Sequence, residues 1–167
     1  VLFTTDESLL AHVGGLPGVA EVHAPQGTPG PRYNIAPTQI VPVVRIDGPV
    51  ARVEPARWGL LPHWKKDDSG PPLFNARGET VATKPSFRDA FKHQRGLIPM
   101  DGYYEWHDDG TGKAPHFVSL GEGRIMWAAA LWATGLGRLS ATIITTDSAG
   151  PLAWLHDRLP RFLAEEE

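Results

Sequence analysis

Short apolar runs, cut by glycine, proline and aspartate, set the rhythm of this chain, and most have the length of a strand rather than a helix. Ile40 to Ile46 reads as one strand, with Pro42 suited to an edge or a bulge because proline has no N–H to give to a ladder. Ala51 to Trp58 is a second strand, reached through a Gly48-Pro49 turn. Leu97 to Pro99, Gly102 to Trp106, His116 to Leu120, Arg124 to Trp132 and Ala141 to Thr146 follow as strands. Asp108-Asp109-Gly110 and Gly121-Glu122-Gly123 carry hairpin-turn chemistry.

Helical spacing is sparse. Thr4 and Glu7 have the spacing of a capping box, Leu9, Leu10 and Val13 form a short apolar face, and Gly14-Gly15 stops it. Pro85 to Gln94 is the clearest helix: Pro85 suits a first turn, Phe87 and Phe91 lie four apart, and Gly96 is its expected stop. A last short helix is expected over Leu152 to His156. Pro25 to Pro37 and Gly59 to Pro72 read as irregular loops. The pattern predicts an α+β fold with a curled, largely antiparallel sheet or barrel-like core and a few short helices. No repeat or linker divides residues 1–167, so one domain is expected.

Composition narrows the function classes. The longest apolar run, Ile125 to Ala133, is too short to span a bilayer as a helix, so no membrane partner is expected. The absence of cysteine from the 167 residues removes disulfides, thiolate metal sites and a thiol nucleophile, and suits a reducing, cytoplasmic setting. Net charge is −3, but the charge is uneven: residues 52–66 carry four basic and one acidic side chain, and residues 77–95 carry five and two. A local basic groove on a mildly acidic protein is compatible with one nucleic-acid site, but composition alone favours a solvated surface with scattered charge.

Three segments offer site chemistry. In the strand from Gly102, Tyr103, Glu105 and His107 share one face and Tyr104 and Trp106 the other. Glu105 among aromatics is either a partly desolvated proton-transfer group or an edge-strand carboxylate paired with arginine. His156 is either a general acid or base or a helix-terminal histidine facing carbonyls. Asn75 has an amide that both donates and accepts, suited to holding a substrate oxygen or to capping a turn, and Arg77 would point to its side. Trp64 and Trp106 are candidates for base stacking, whereas Trp58, Trp127, Trp132 and Trp154 are expected in the core. No phosphate loop, dinucleotide fingerprint or His-Glu-x-x-His pattern is present, and Glu105-Trp106-His107 lacks a third ligand, so neither cofactor nor metal is expected.

An ordered series of segments carries a resemblance: Tyr33 to Thr38, Arg57 to Pro62, Asn75 to Thr80, Lys84 to Arg88, Pro99 to Trp106, Ile144 to Thr146 and His156 to Pro160. In this order they resemble the SRAP family (SOS response-associated peptidase, or abasic-site processing protein) across almost the whole chain. The resemblance implies a protein that binds single-stranded DNA at abasic sites, or at junctions with a single-stranded gap, and crosslinks to them. The family nucleophile is an N-terminal cysteine whose α-amine condenses with the sugar aldehyde and whose thiol closes a thiazolidine.

Carried over by residue, Asn75 would hold the opened sugar, Glu105 would move protons during imine formation, and His156 would assist ring opening and reversal. Arg77 and Arg158 would grip flanking phosphates, with Asn34 and Arg88 in the same DNA-binding set. Trp106 would pack on a base or the backbone. Pro37 and the Pro62-His63-Trp64 loop would wedge against stacked bases. A monomer is implied, cytoplasmic and nucleoid-associated in a bacterium. The family's Met-Cys-Gly-Arg opening is absent, as is its longer C-terminal part, and the intact internal set favours lost termini over a paralogue without crosslinking chemistry. A non-catalytic single-strand binding module and a peptidase acting on its own first residue are the other readings.

Overall fold

The computed structural model of the protein describes residues 2–3, 9–24, 34–121, 123–148 and 152–164. The expected Thr4–Glu7 capping box, most of the Pro25–Pro37 loop and Glu122 in its expected turn lie outside the described residues.

Five strands close a barrel. In chain order these are β3 (Ile40–Asp47), β4 (Val50–Trp58), β6 (Arg95–Met100), β9 (Met126–Gly135) and β10 (Arg138–Asp147). β3 pairs antiparallel with β4 and with β6, β6 with β9, and β9 with β10. A short parallel pairing of β10 with β4, Ser140 opposite Arg57 and Ala141 opposite Trp58, completes the ring. Ser140 fixes that seam: its buried hydroxyl accepts from the Leu61 N–H at 2.7 Å and donates to the Ala133 carbonyl at 3.3 Å. Val41, Val43, Ile98, Met100, Ala128 and Ile143 fill the interior. The expectation of a curled, largely antiparallel α+β fold holds.

Shorter strands branch from this ring. β2 (Glu21–His23) extends β4, β5 (Asn75–Arg77) and β11 (Arg158–Pro160) attach to β10, and β12 (Phe162–Leu163) attaches to β9. A second sheet has the order β1 (Leu2–Phe3), β7 (Gly102–Asp108), β8 (Lys113–Ser119). The chain leaves the barrel for this sheet at Asp101-Gly102, directly after β6.

Several expectations are corrected. Pro42 is not on an edge strand, because β3 has neighbours on both sides. It faces Pro55 of β4, so neither residue needs an N–H from the other, and β6 meets β3 at Val44 opposite Leu97, away from the proline. The central helix, α2, spans Arg88–His93. It is preceded by a turn in which Phe87 and Arg88 donate to the Lys84 carbonyl. Gly96 does not stop it. It already belongs to β6, where a Cβ would come within 2.8 Å of the Val44 carbonyl. In α1 (Leu9–Gly14), Leu9 and Val13 are buried four residues apart while Leu10 turns to solvent. Leu152 to His156 forms a single turn, closed by the Leu155 N–H on the Leu152 carbonyl at 3.1 Å. Among the described residues, no helix is long and apolar enough to cross a membrane.

The crossing at Gly102 is sterically exacting: a Cβ there would lie 2.5 Å from both the Val118 carbonyl and the Phe117 ring. Gly102→Ala is therefore expected to force β7 and β8 apart and destabilise the protein by about 1–3 kcal/mol. Urea unfolding should show a lower midpoint with an unchanged slope.

Candidate functional site

Where β5, β7 and β11 meet above the barrel, they border a cleft of about 300 Å³. It is lined by Asn75, Glu105, Trp106, His156 and Arg158, together with Tyr103, Tyr104, Trp58 and Thr145. The amide, the carboxylate and the imidazole, distant in sequence, thus share one cavity.

Each is held by backbone pairing. Asn75 opens β5, which runs parallel to β10 with Asn75 opposite Ile143 and Arg77 opposite Thr145. Ala76 between them is buried in the core, so Asn75 and Arg77 both face outward. The residue before Asn75 is pinned as well: Trp58 Nε1 donates to the Phe74 carbonyl at 2.9 Å, and the two rings meet edge-on at 5.6 Å. Glu105 lies on β7, partly buried, on the face that Tyr103 shares with the core. Burial, and then the charge of Glu105, push the Tyr103 phenol up to about 12, so its O–H stays protonated and can act as a donor.

His156 follows the single turn and faces Glu105, with Nε2 3.9 Å from Oε1. The Arg158 N–H donates to His156 Nδ1 at 2.9 Å. The Arg158 carbonyl lies 3.0 Å from the same nitrogen and Asp157 Oδ1 3.3 Å, so Nδ1 is held by this segment in either tautomer and Nε2 is left on the side of Glu105. The pair lies just outside hydrogen-bond distance, close enough for a shared substrate atom or one water to relay a proton between them.

Arg158 is the electrostatic hub. Its side chain is 14% exposed and bridges Glu79 at 3.0 Å and Asp147 at 2.7 Å. It also donates to the hydroxyl and carbonyl of Thr145. Hydrogen bonding from Arg158 holds the Glu79 carboxyl below its usual range, and the same bond raises the guanidinium pKa. Arg77 is 61% exposed and meets Glu79 only at 3.6 Å, so it is the more available cation of the two.

The remaining candidates scatter. Trp106 leaves the opposite face of β7 from Glu105 and sits at the cleft rim, 54% exposed. Asn34 is exposed and Pro37 half-buried, in the stretch leading to β3. Pro62, His63 and Trp64 line a different, smaller cleft of about 170 Å³ with Ser86, Asp89 and Gln94. Arg88, the first residue of α2, is exposed and borders neither cleft. Trp154 overturns its expectation: it is 57% exposed, outside the core. Among the described residues, no group of three His, Asp or Glu side chains could hold a metal ion.

The family model for the SOS response associated peptidase (SRAP) matches residues 1–167. This chain belongs to the SRAP family. It is 38% identical over 149 residues to the abasic site processing protein YoaM of Bacillus subtilis, covering 85% of this chain and 66% of that protein. It is 33% identical over 139 residues to the abasic site processing protein YedK of Escherichia coli, covering 81% and 61%. The chain therefore spans about two-thirds or less of these two relatives. A Bordetella bronchiseptica protein of known structure superimposes with a TM-score of 0.79 at 20% identity, over 99% of this chain and 85% of its own.

Sequence reasoning missed several groups in this cleft of the SRAP chain. Thr145 is buried and polar, and its place in a strand running alongside Asn75-Arg77 has no local signature. Glu79 and Asp147, the partners of Arg158, are 79 and 11 residues away from it in sequence. Trp58 was expected in the core, and it does both jobs: buried, yet lining the cleft.

The Glu79–Arg158 pair makes a pH prediction. A carboxyl held low in the folded state contributes stability above its ordinary value of 4.5 and loses it as pH falls through the depressed value. Glu79→Gln should melt below the parent at pH 7, and the difference should close on acidification below 4.5. The gap should be small, because Glu79 is 46% exposed and solvent screens the pair.

Proposed function

We propose that this protein recognises abasic sites in single-stranded DNA, and that its complete form joins them covalently through an N-terminal cysteine upstream of Val1. The observation that carries this reading is the meeting of Asn75, Glu105 and His156 in one cleft, with acid and imidazole 3.9 Å apart. The names of its relatives YoaM and YedK, abasic site processing proteins, point the same way. The register of β1 also supports it. Leu2 lies opposite Tyr103 and Phe3 opposite Gly102, so β1 is paired with the strand that carries Glu105.

The chemistry balances without a cofactor. The cysteine α-amine adds to the C1′ aldehyde of the ring-opened sugar, and the resulting carbinolamine loses water to give an imine. The thiol then adds across the C=N bond, sulfur to carbon and proton to nitrogen, closing a five-membered ring. Glu105 passes the proton that lets hydroxide leave as water, Asn75 holds the sugar hydroxyls, and His156 moves protons for ring opening and for reversal. Tyr103 supplies a neutral donor at the cleft wall.

For DNA contact, Arg77 meets a flanking phosphate and Trp106 stacks at the rim. Pro37 and Asn34 flank the strand, the Pro62-His63-Trp64 loop takes it beyond the lesion at the second cleft, and Arg88 meets a phosphate from outside both clefts. Arg158, already paired to two carboxylates, acts mainly by holding the His156 segment, and adds its charge to the wall.

The test restores a Met-Cys-Gly-Arg start and mixes the protein with a uracil-glycosylase-treated oligonucleotide. A shifted band on a denaturing gel is expected. Salt-sensitive binding with no covalent product from folded protein would sink the crosslinking step and leave a binding module. Glu105→Gln should slow the band's appearance by about 10²–10⁴-fold, the usual reach of a positioned proton-transfer group. Arg77→Glu should weaken binding at low salt with the melting temperature unchanged. Arg158→Glu is a poor probe, because it would place three carboxylates together.

A further inference from the structure

We infer that Trp154 is a positioning residue for the His156–Glu105 pair, bracing the turn that carries the imidazole against the strand that carries the carboxylate. Its indole is 57% exposed and yet has two ring partners. It meets His107 and His116 edge-on, each at 5.2 Å with the planes at 85°. Those two rings are themselves 6.0 Å apart. Edge-to-face geometry of this kind is favourable beyond simple burial.

The partners are the ones that matter for Glu105. His107 is two residues further along β7, on the face Glu105 uses, and His116 is directly opposite Glu105 across the β7–β8 ladder. Trp154 stands two residues before His156, in a segment that has only a single turn to stiffen it. On the inner side, Leu155 is buried, and beyond His156 the Asp157 carbonyl accepts from the Ser148 N–H at 2.9 Å. The aromatic cluster supplies the restraint from the outer side. A separation of 3.9 Å is sensitive to such a brace, since a small tilt of the turn either closes or opens the relay. Displacements of about 1 Å at a reacting centre can cost about 10²-fold in rate.

This inference rests on the proton-transfer roles given above to His156 and Glu105, and its first test does not depend on them. In the present chain labelled with ¹⁵N-histidine, long-range ¹H–¹⁵N spectra should show neutral His156 in a single tautomer, with one ring nitrogen protonated and the other bare. Trp154→Ala should replace this single tautomer by averaged nitrogen shifts, and Trp154→Phe should restore it. His116→Ala, which removes one partner of the indole, should shift the tautomer in the same direction and serves if Trp154→Ala fails to fold. With the Met-Cys-Gly-Arg start restored, Trp154→Ala should slow crosslinking at saturating DNA by about tenfold or more. DNA affinity should change by no more than about twofold, the signature of a lost kcat rather than a raised KM.

An unchanged tautomer with an unchanged rate would overturn the inference. So would a loss of DNA affinity with the tautomer intact, which would make Trp154 a strand contact. If the restored parent protein forms no crosslink, the functional reading fails, and the tautomer comparison still decides the role of Trp154.

Discussion

Everything at the site depends on β10 being paired along its whole length. Its first half closes the barrel, antiparallel to β9 and briefly parallel to β4. Its second half extends beyond the ring and holds β5 on one edge and β11 on the other. One strand therefore fixes the height of Asn75, Arg77 and Arg158 relative to each other, by hydrogen bonds whose spacing cannot drift. Glu105 arrives by a different route, on β7, which leaves the barrel through the tight crossing at Gly102. The cleft is the gap between these two rigid supports.

Charge within the cleft is arranged rather than accumulated. Arg158 faces Glu79 and Asp147, so a nearly buried cation is neutralised by two exposed carboxylates. With the Thr145 hydroxyl and carbonyl as further acceptors, the guanidinium is held from several sides and behaves as scaffold as much as ligand. Arg77 shares Glu79 loosely and projects into solvent, where a phosphate would compete with a weak contact. On a protein of net charge −3, positive potential at the cleft rests on such local cations.

The two clefts lie on different walls. One joins the catalytic candidates through β5, β7 and β11, and the other sits between the loop after β4 and the start of α2. A strand of nucleic acid engaging both would have to pass over the rim between them. The exposed indoles of Trp106 and Trp64 stand one at each cleft.

The chain's own pattern determined the barrel strands, their turns and the α+β class, because short apolar runs and turn chemistry are local properties. The clean pair Asn75 and Arg77 was legible for the same reason: with Ala76 buried between them, strand geometry alone sends both outward. Glu105 and His156 were recognisable as chemically apt, while their approach to 3.9 Å was not, since it comes from two separate ladders meeting. Trp154 and the Pro62-His63-Trp64 loop show the limit most clearly. An indole looks like core in a sequence and a loop looks free to join any site. What places them is non-local pairing: a turn laid on β7 and β8 exposes Trp154 beside two histidines, and the ring closure of β4 on β10 carries the loop to the other cleft.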